Sequence, residues 1–171
     1  MMVEQYHLDI LRQGIDEWNQ WRQEHHSIQP DFTGADFRSA RLRRVNLAGA
    51  RLNGADFSGA DLGESLLNQA DFSEANLSRA NLISADLQGA NLIAAILIGA
   101  NLSEAILSEA IFIDADLRGA ILTGAEVTGT NFSGANLVDA DLGDIDLSRA
   151  NTEGARRYKK LDKKPRRRYT P

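Results

Sequence analysis

From Phe32 to Leu147 every fifth residue is large and apolar, twenty-four times in succession without a gap. Seventeen are Leu, one is Val127, and six are Phe, which accounts for every phenylalanine in the chain. Two residues before each large residue the chain favours a small one. From position 35 to 150 this is Ala in twenty of twenty-four cases, the others being Val45, Ser65, Thr130 and Ile145. Asp or Asn usually stands between the two, and Gly is frequent two residues after the large one, as at Gly34, Gly54 and Gly119. A period of five matches neither the 3.6 of a helix nor the 2 of a continuous strand. The small–polar–large triplet is locally extended, with its first and third side chains on one side. The next two residues must then turn the chain so that the following pair points inward again. Repeating that corner predicts an all-β solenoid whose coils stack through parallel backbone hydrogen bonds.

The triplets Ala55-Asp56-Phe57, Ala80-Asn81-Leu82 and Ala135-Asn136-Leu137 carry the pattern Ala-Asp/Asn-Leu-x-x. It resembles the pentapeptide-repeat family over about 125 residues, Pro30 to Gly154, without insertion or deletion. The resemblance implies a right-handed quadrilateral β-helix with four pentapeptides, or 20 residues, per coil. The phenylalanines agree: Phe32, Phe72, Phe112 and Phe132 fall in one column and Phe37 and Phe57 in the next. About six coils at roughly 4.8 Å each make a rod about 30 Å long. Leu, Phe and Ala then fill the rod, while Asp/Asn and the corner residues face outward. The short Asp/Asn side chains are expected to bond nearby backbone in the turns.

Charge divides the chain into three. Residues 1–30 carry −3, residues 31–155 carry −10 and residues 156–171 carry +8, for a net −5. The prolines stand at 30, 165 and 171, outside the array. The expected organisation is 1–29 capping helix and linker, 30–155 β-helix, 156–171 basic tail. Leu8, Leu11, Ile15, Trp18 and Trp21 form one stripe of an amphipathic helix, placed at 3–25, with Gly14 beside it. Its expected role is to cover the first coil, since a β-rod otherwise ends in an open edge and an exposed slice of core. A partner-binding or membrane-surface helix is the alternative. Its five acids against two arginines disfavour an anionic membrane. The tail, with Arg166, Arg167 and Arg168, is read as solvated or resting on the acidic rod. Nucleic acid or another anionic surface is its alternative partner.

Catalytic chemistry has no foothold in this sequence. There is no cysteine, and His7, His25 and His26 all precede the array. The eighteen acids of residues 31–155 spread evenly over the four columns rather than converging. General acid–base and nucleophilic catalysis need a positioned partner and shelter from water. No phosphate-binding Gly motif appears, so no enzyme, cofactor or metal is expected. The first residues lack a signal-peptide pattern and no run of about 18 apolar residues occurs, so a cytoplasmic location is expected.

Two departures from the pattern mark candidate contact surfaces. Arg38, Arg41, Arg43, Arg44 and Arg51 cluster in the first coils. The square coil puts Arg41 near Asp61 and Arg44 near Glu64, as inter-coil ion pairs. Arg41, Arg43 and Arg44 are the candidate contacts to an acidic partner otherwise. The second departure is a belt of outward isoleucines, of which Ile93, Ile96, Ile98, Ile111 and Ile113 are the candidate interaction surface, for self-association or a protein partner. Ile96, Ile106, Ile111 and Ile121 stand where Asp or Asn is usual. The expected function is therefore a non-enzymatic binding or scaffold protein. The alternative is a DNA mimic acting on a type II topoisomerase, as some acidic members of the resembled family do.

Overall fold

The computed structural model describes residues 3–157. Two helices, α1 (Val3–Leu11) and α2 (Ile15–Glu24), precede the array. From Asp31 onward the chain forms parallel bridges, each joining a residue to the one 20 positions later, from Asp31↔Arg51 to Asn136↔Arg156. Each side of a coil contributes a single bridging residue, so the β-structure is a stack of short sides.

One pentapeptide shows why the sequence closes this way. Asn91 N–H donates to the Ala70 carbonyl (2.9 Å) on the coil before, and Leu92 N–H to the Ile111 carbonyl (2.7 Å) on the coil after. Ile93 N–H donates to the Asn91 side-chain oxygen (3.1 Å). Ala94 N–H reaches the Ile113 carbonyl (2.9 Å), and Ala95 N–H closes the turn on Leu92 (3.1 Å). All five donors are satisfied, as buried or half-buried backbone requires. The second corner residue lies at positive φ, here Ala94 at 55°. Glycine adopts that conformation without strain, which is why it recurs there.

The core follows the period. The large residues from Leu47 to Leu122 and the alanines between them are essentially inaccessible. Phe37 stacks on Phe57 (4.8 Å between centroids) and Phe112 on Phe132 (5.1 Å), pairs 20 residues apart. Two polar replacements in the small column, Ser65 and Thr130, are buried but paired. Ser65 Oγ donates to the Leu42 carbonyl (3.0 Å) and Thr130 Oγ1 to that of Leu107 (2.7 Å).

The ends deviate in instructive ways. The single helix expected over 3–25 is two helices, broken at Gly14, whose φ of 149° and ψ of 164° lie where only glycine is at ease. A Cβ there would collide with the Glu17 carboxylate. The stripe still packs inward: Leu11, Trp18 and Trp21 are buried, and Leu8 and Ile15 lie against the same core. Trp18 meets Phe32 at 5.4 Å. Trp18 Nε1 donates to the Asn46 carbonyl (2.8 Å) and Arg22 to the carbonyls of Ile28 (2.7 Å) and Ala48 (3.0 Å). Asn19 bonds Asn46 N–H (2.8 Å) and the Arg44 carbonyl (2.9 Å). At the other end a 3-10 turn, Leu147–Arg149, interrupts the ladder, which resumes at Asn151 and Arg156. Leu142, Ile145 and Leu147 are only partly buried. Arg166, Arg167 and Arg168, with most of the basic tail, lie outside the described residues.

Candidate interaction surface

The Asp and Asn at the bridging positions are committed to the fold. In the bridging columns every one of them, seventeen from Asp31 to Asn151, accepts from the backbone N–H two residues on. These Asx turns brace each corner. Some also link coils: Asn81 Nδ2 donates to Asp61 Oδ1 (2.7 Å) and Asn91 Nδ2 to Asp71 Oδ1 (3.0 Å). Among the described residues no three His, Asp or Glu side chains gather where they could hold a metal.

Against that background the apolar outward positions stand out. Ile96, Ile106, Ile111 and Ile121 occupy bridging positions and cannot make the Asx bond. Ile93, Ile96, Ile98, Ile106 and Ile121 are exposed, whereas Ile111 and Ile113 are half-buried. Leu66, at 46 % the most exposed array residue of this kind, shares a bridging column with Ile106 and was missed by counting isoleucines alone. The Leu66-Leu67 doublet was its signal, since the period sends Leu67 inward and Leu66 out. Ile93 lies at the corner between the sides of Asn91 and Ile96, and Ile98 at the corner after Ile96.

The arginine cluster resolves into ion pairs. Arg44 Nε meets Glu64 Oε2 at 2.7 Å, and Arg43 bonds the same carboxylate, its guanidinium passing over Gly63 where a Cβ would stand in the way. The Arg44 hydrogen bond, then the charges of both arginines, hold the Glu64 carboxyl below its ordinary range. Arg38 pairs with Asp36 and holds it at about 2. Arg51 reaches Asp31 at 3.3 Å. The Arg41–Asp61 pair expected from the register does not form. Their backbones bridge, but Asp61 Oδ1 turns to Gly63 N–H (3.1 Å) and Asn81, and no described carboxylate pairs with Arg41.

His7 was not singled out and is buried. Its Nδ1 accepts from Asp31 N–H (3.2 Å), and its ring meets Trp21 at 5.3 Å, Phe32 at 6.0 Å and Trp18 at 6.4 Å. Burial lowers its basicity, the Asp31 carboxylate opposing and Arg22 adding to the effect. The spacing 7, 11, 14, 18, 21 and 25 was the available signal, a second stripe beside the one that was read. His25 closes α2, stacked on Trp21 at 4.8 Å.

A solenoid of 20-residue coils, with paired small and large residues inside and Asx-braced corners outside, defines a class of repeat protein. The family model for pentapeptide repeats matches eight copies spanning residues 31–69, 55–92, 85–124 and 122–151. The chain belongs to the pentapeptide-repeat family, whose members form right-handed quadrilateral β-helices. No curated protein matches it. Among solved structures it is similar to the pentapeptide repeat protein alr5209 of Nostoc PCC 7120 (26% identity, 82% of this chain and 94% of that one, TM-score 0.48). It is also similar to HetL of Nostoc sp. strain PCC 7120, involved in heterocyst differentiation regulation (29% identity, 74% and 71%, TM-score 0.40). A third is AT2G44920 of the Arabidopsis thaliana thylakoid lumen (36% identity, 56% and 70%, TM-score 0.26). No helix among the described residues is long and apolar enough to cross a membrane.

Proposed function

We propose that this protein is a non-enzymatic binding or scaffold protein, in which the rod presents a protein-recognition surface built on the outward isoleucines. The observation that carries this reading is the contrast between the two kinds of outward residue. The Asp and Asn bond their own backbone, whereas Leu66, Ile96, Ile106, Ile111 and Ile121 forgo that bond and place apolar surface outside. Replacing an Asx bond by nothing costs about 0.5–1.5 kcal/mol, so strand propensity alone is a weak reason to keep these residues.

In the same reading α1 and α2 are the cap of a rod of about six coils. Their side chains meet backbone groups of Asp31, Asn46 and Ala48 on the edge with no coil beneath. Of the arginines assigned to an acidic partner, Arg41 is the available one, because Arg43 and Arg44 are held by Glu64. Arg166, Arg167 and Arg168 supply a second cationic contact on the tail. The −10 charge of residues 31–155 favours the DNA-mimic reading, but its carboxylates are spread around the rod.

The test is partner capture from the native host, using the whole chain and a variant with Ile96 and Ile113 replaced by Asp. A protein captured by the parent and lost with the variant supports the reading. Identical capture by both removes the isoleucines from it. A type II topoisomerase supercoiling assay separates the alternative: no inhibition is expected, and inhibition would favour the DNA mimic.

A further inference from the structure

We propose that the side of the rod carrying Asn76, Ile96 and Asp116 binds the same side of a second copy of this chain, the two rods lying parallel about a two-fold axis. This rests on the reading of the isoleucines as a contact surface and names the partner. These three residues form one bridging column on successive coils. The corners that frame the side are equally well placed. On the middle coil Ile93 stands at one corner and Ile98 at the other, both exposed, with the exposed Ile96 between them. On the coil before, Glu74 takes the first corner and Arg79 the second; on the coil after, Asp114 takes the first and Arg118 the second. The ladder places both acids at the first corner, stacked on Ala94 beside Ile93, since Glu74 N–H donates to the Ile93 carbonyl and Ala94 N–H to that of Ile113, both at 2.9 Å. Arg79 N–H meets the Ile98 carbonyl and Gly99 N–H that of Arg118, again at 2.9 Å.

The side therefore has an apolar row across its middle, acids along one edge and arginines along the other. A two-fold axis running parallel to the rods brings the left edge of one copy against the right edge of its partner on the same coil. Ile96 then meets Ile96, and Ile93 meets Ile98. Glu74 meets Arg79, and Asp114 meets Arg118, each contact occurring twice, as an isologous interface requires. The antiparallel arrangement centred on Ile96 sets Glu74 against Asp114, like charge on like.

Among the described residues neither Glu74, Arg79 nor Asp114 takes part in an ion pair, so three of the four edge charges are uncommitted. The fourth, Arg118, pairs with Asp116 at 2.7 Å and there shields a carboxylate that would face its own copy across the axis. Asp56 continues the column towards α1 and puts like charges on the midline, which ends the contact on that side. Such a footprint is below the size of a permanent interface, and the dimer is weak and salt-sensitive.

Sedimentation velocity of the full chain over a range of concentrations, at low and high salt, reads the pairing. The expected result is a concentration-dependent dimer that salt weakens. Ile96→Asp should raise the dimer dissociation constant more than tenfold, and Glu74→Arg and Arg79→Glu should each do the same. Mixing those two charge variants in equal amounts restores a heterodimer, because one contact is native and the other is reversed as a pair. The double variant Glu74→Arg/Arg79→Glu restores the homodimer. Glu74 and Arg79 already hold φ of 59° and 58°, so the reversals change charge without changing the backbone demand. Thermal unfolding of each variant verifies that it is folded. A monomeric parent, a dimer indifferent to Ile96→Asp, or a mixture that fails to pair each overturns the proposal. None of these touches the partner-binding reading, which is tested by capture; identical capture by the parent and by the Ile96→Asp/Ile113→Asp variant, with the parent dimeric, overturns that reading and leaves the pairing in place.

Discussion

Phe112 and Phe132 stack with ring planes 20° apart and centroids 5.1 Å apart, one coil of the solenoid separating them in sequence. Leu92 and Leu122 lie in the same fully excluded core. Core truncations that leave a cavity cost about 2–5 kcal/mol, so Leu92→Ala should lose stability in that range in equilibrium denaturation. A loss below about 0.5 kcal/mol would contradict its inward placement.

The corners give a prediction about backbone alone. Gly54 holds φ of 66°, and a Cβ there meets nothing within 4 Å. Gly54→Ala should therefore destabilise by about 1 kcal/mol through the left-handed conformation itself. Ala94, at φ 55°, should show the converse, with Ala94→Gly neutral to stabilising by up to about 1 kcal/mol. Thermal melts of both variants check the pair; equal destabilisation by both would place the strain elsewhere.

His7 gives the fold a pH dependence at its N-terminal end. Its folded pKa is depressed, so the unfolded chain takes up a proton more readily and stability rises with pH. The contribution is fully present above the ordinary imidazole pKa of about 6.5 and fades as pH falls through the folded value. His7→Gln should flatten the pH dependence of stability below about pH 6.5. The protection of Asp31 N–H, the donor to His7 Nδ1, against hydrogen exchange, taken relative to the free-peptide rate at each pH, should fall on acidification in the parent.

Deleting residues 159–171 should leave unfolding cooperative and the melting temperature close to the parent's, because the ladder runs from Asp31 to Arg156 without them. Aggregation or a much earlier melt would make the tail a structural element. Any binding of the intact chain to DNA should fall steeply with salt and vanish with the deletion, as counterion release requires.

The array was legible because a period of five has few structural solutions. It fixed the columns of Phe32 and Phe37, the inward alanines and the Asx role of Asp56 or Asn81. The break at Gly14 was not, since a lone glycine is tolerated within many helices and only its φ of 149° reveals the bend. The Arg41–Asp61 register was readable but the pairing was not. A short carboxylate beside a free N–H bonds locally first, and Asp61 bonds Gly63. The Arg43 and Arg44 contacts to Glu64 were reachable by long side chains at a corner, where the carboxylate has no Asx role.

The most direct test of the 20-residue coil uses the absence of native cysteine. Ser58 and Ser78 occupy stacked corners, joined through the Gly59 N–H to Ser78 carbonyl bond of 2.9 Å. Cysteines at both positions sit about one strand spacing, ~4.8 Å, apart, inside the range a disulfide spans. Mild oxidation of Ser58→Cys/Ser78→Cys should give an intramolecular disulfide in nearly every molecule without loss of fold, whereas Ser58→Cys/Ser73→Cys, 15 residues apart and on different corners, should stay reduced. Rapid closure of the second pair and not the first would contradict the four-sided coil.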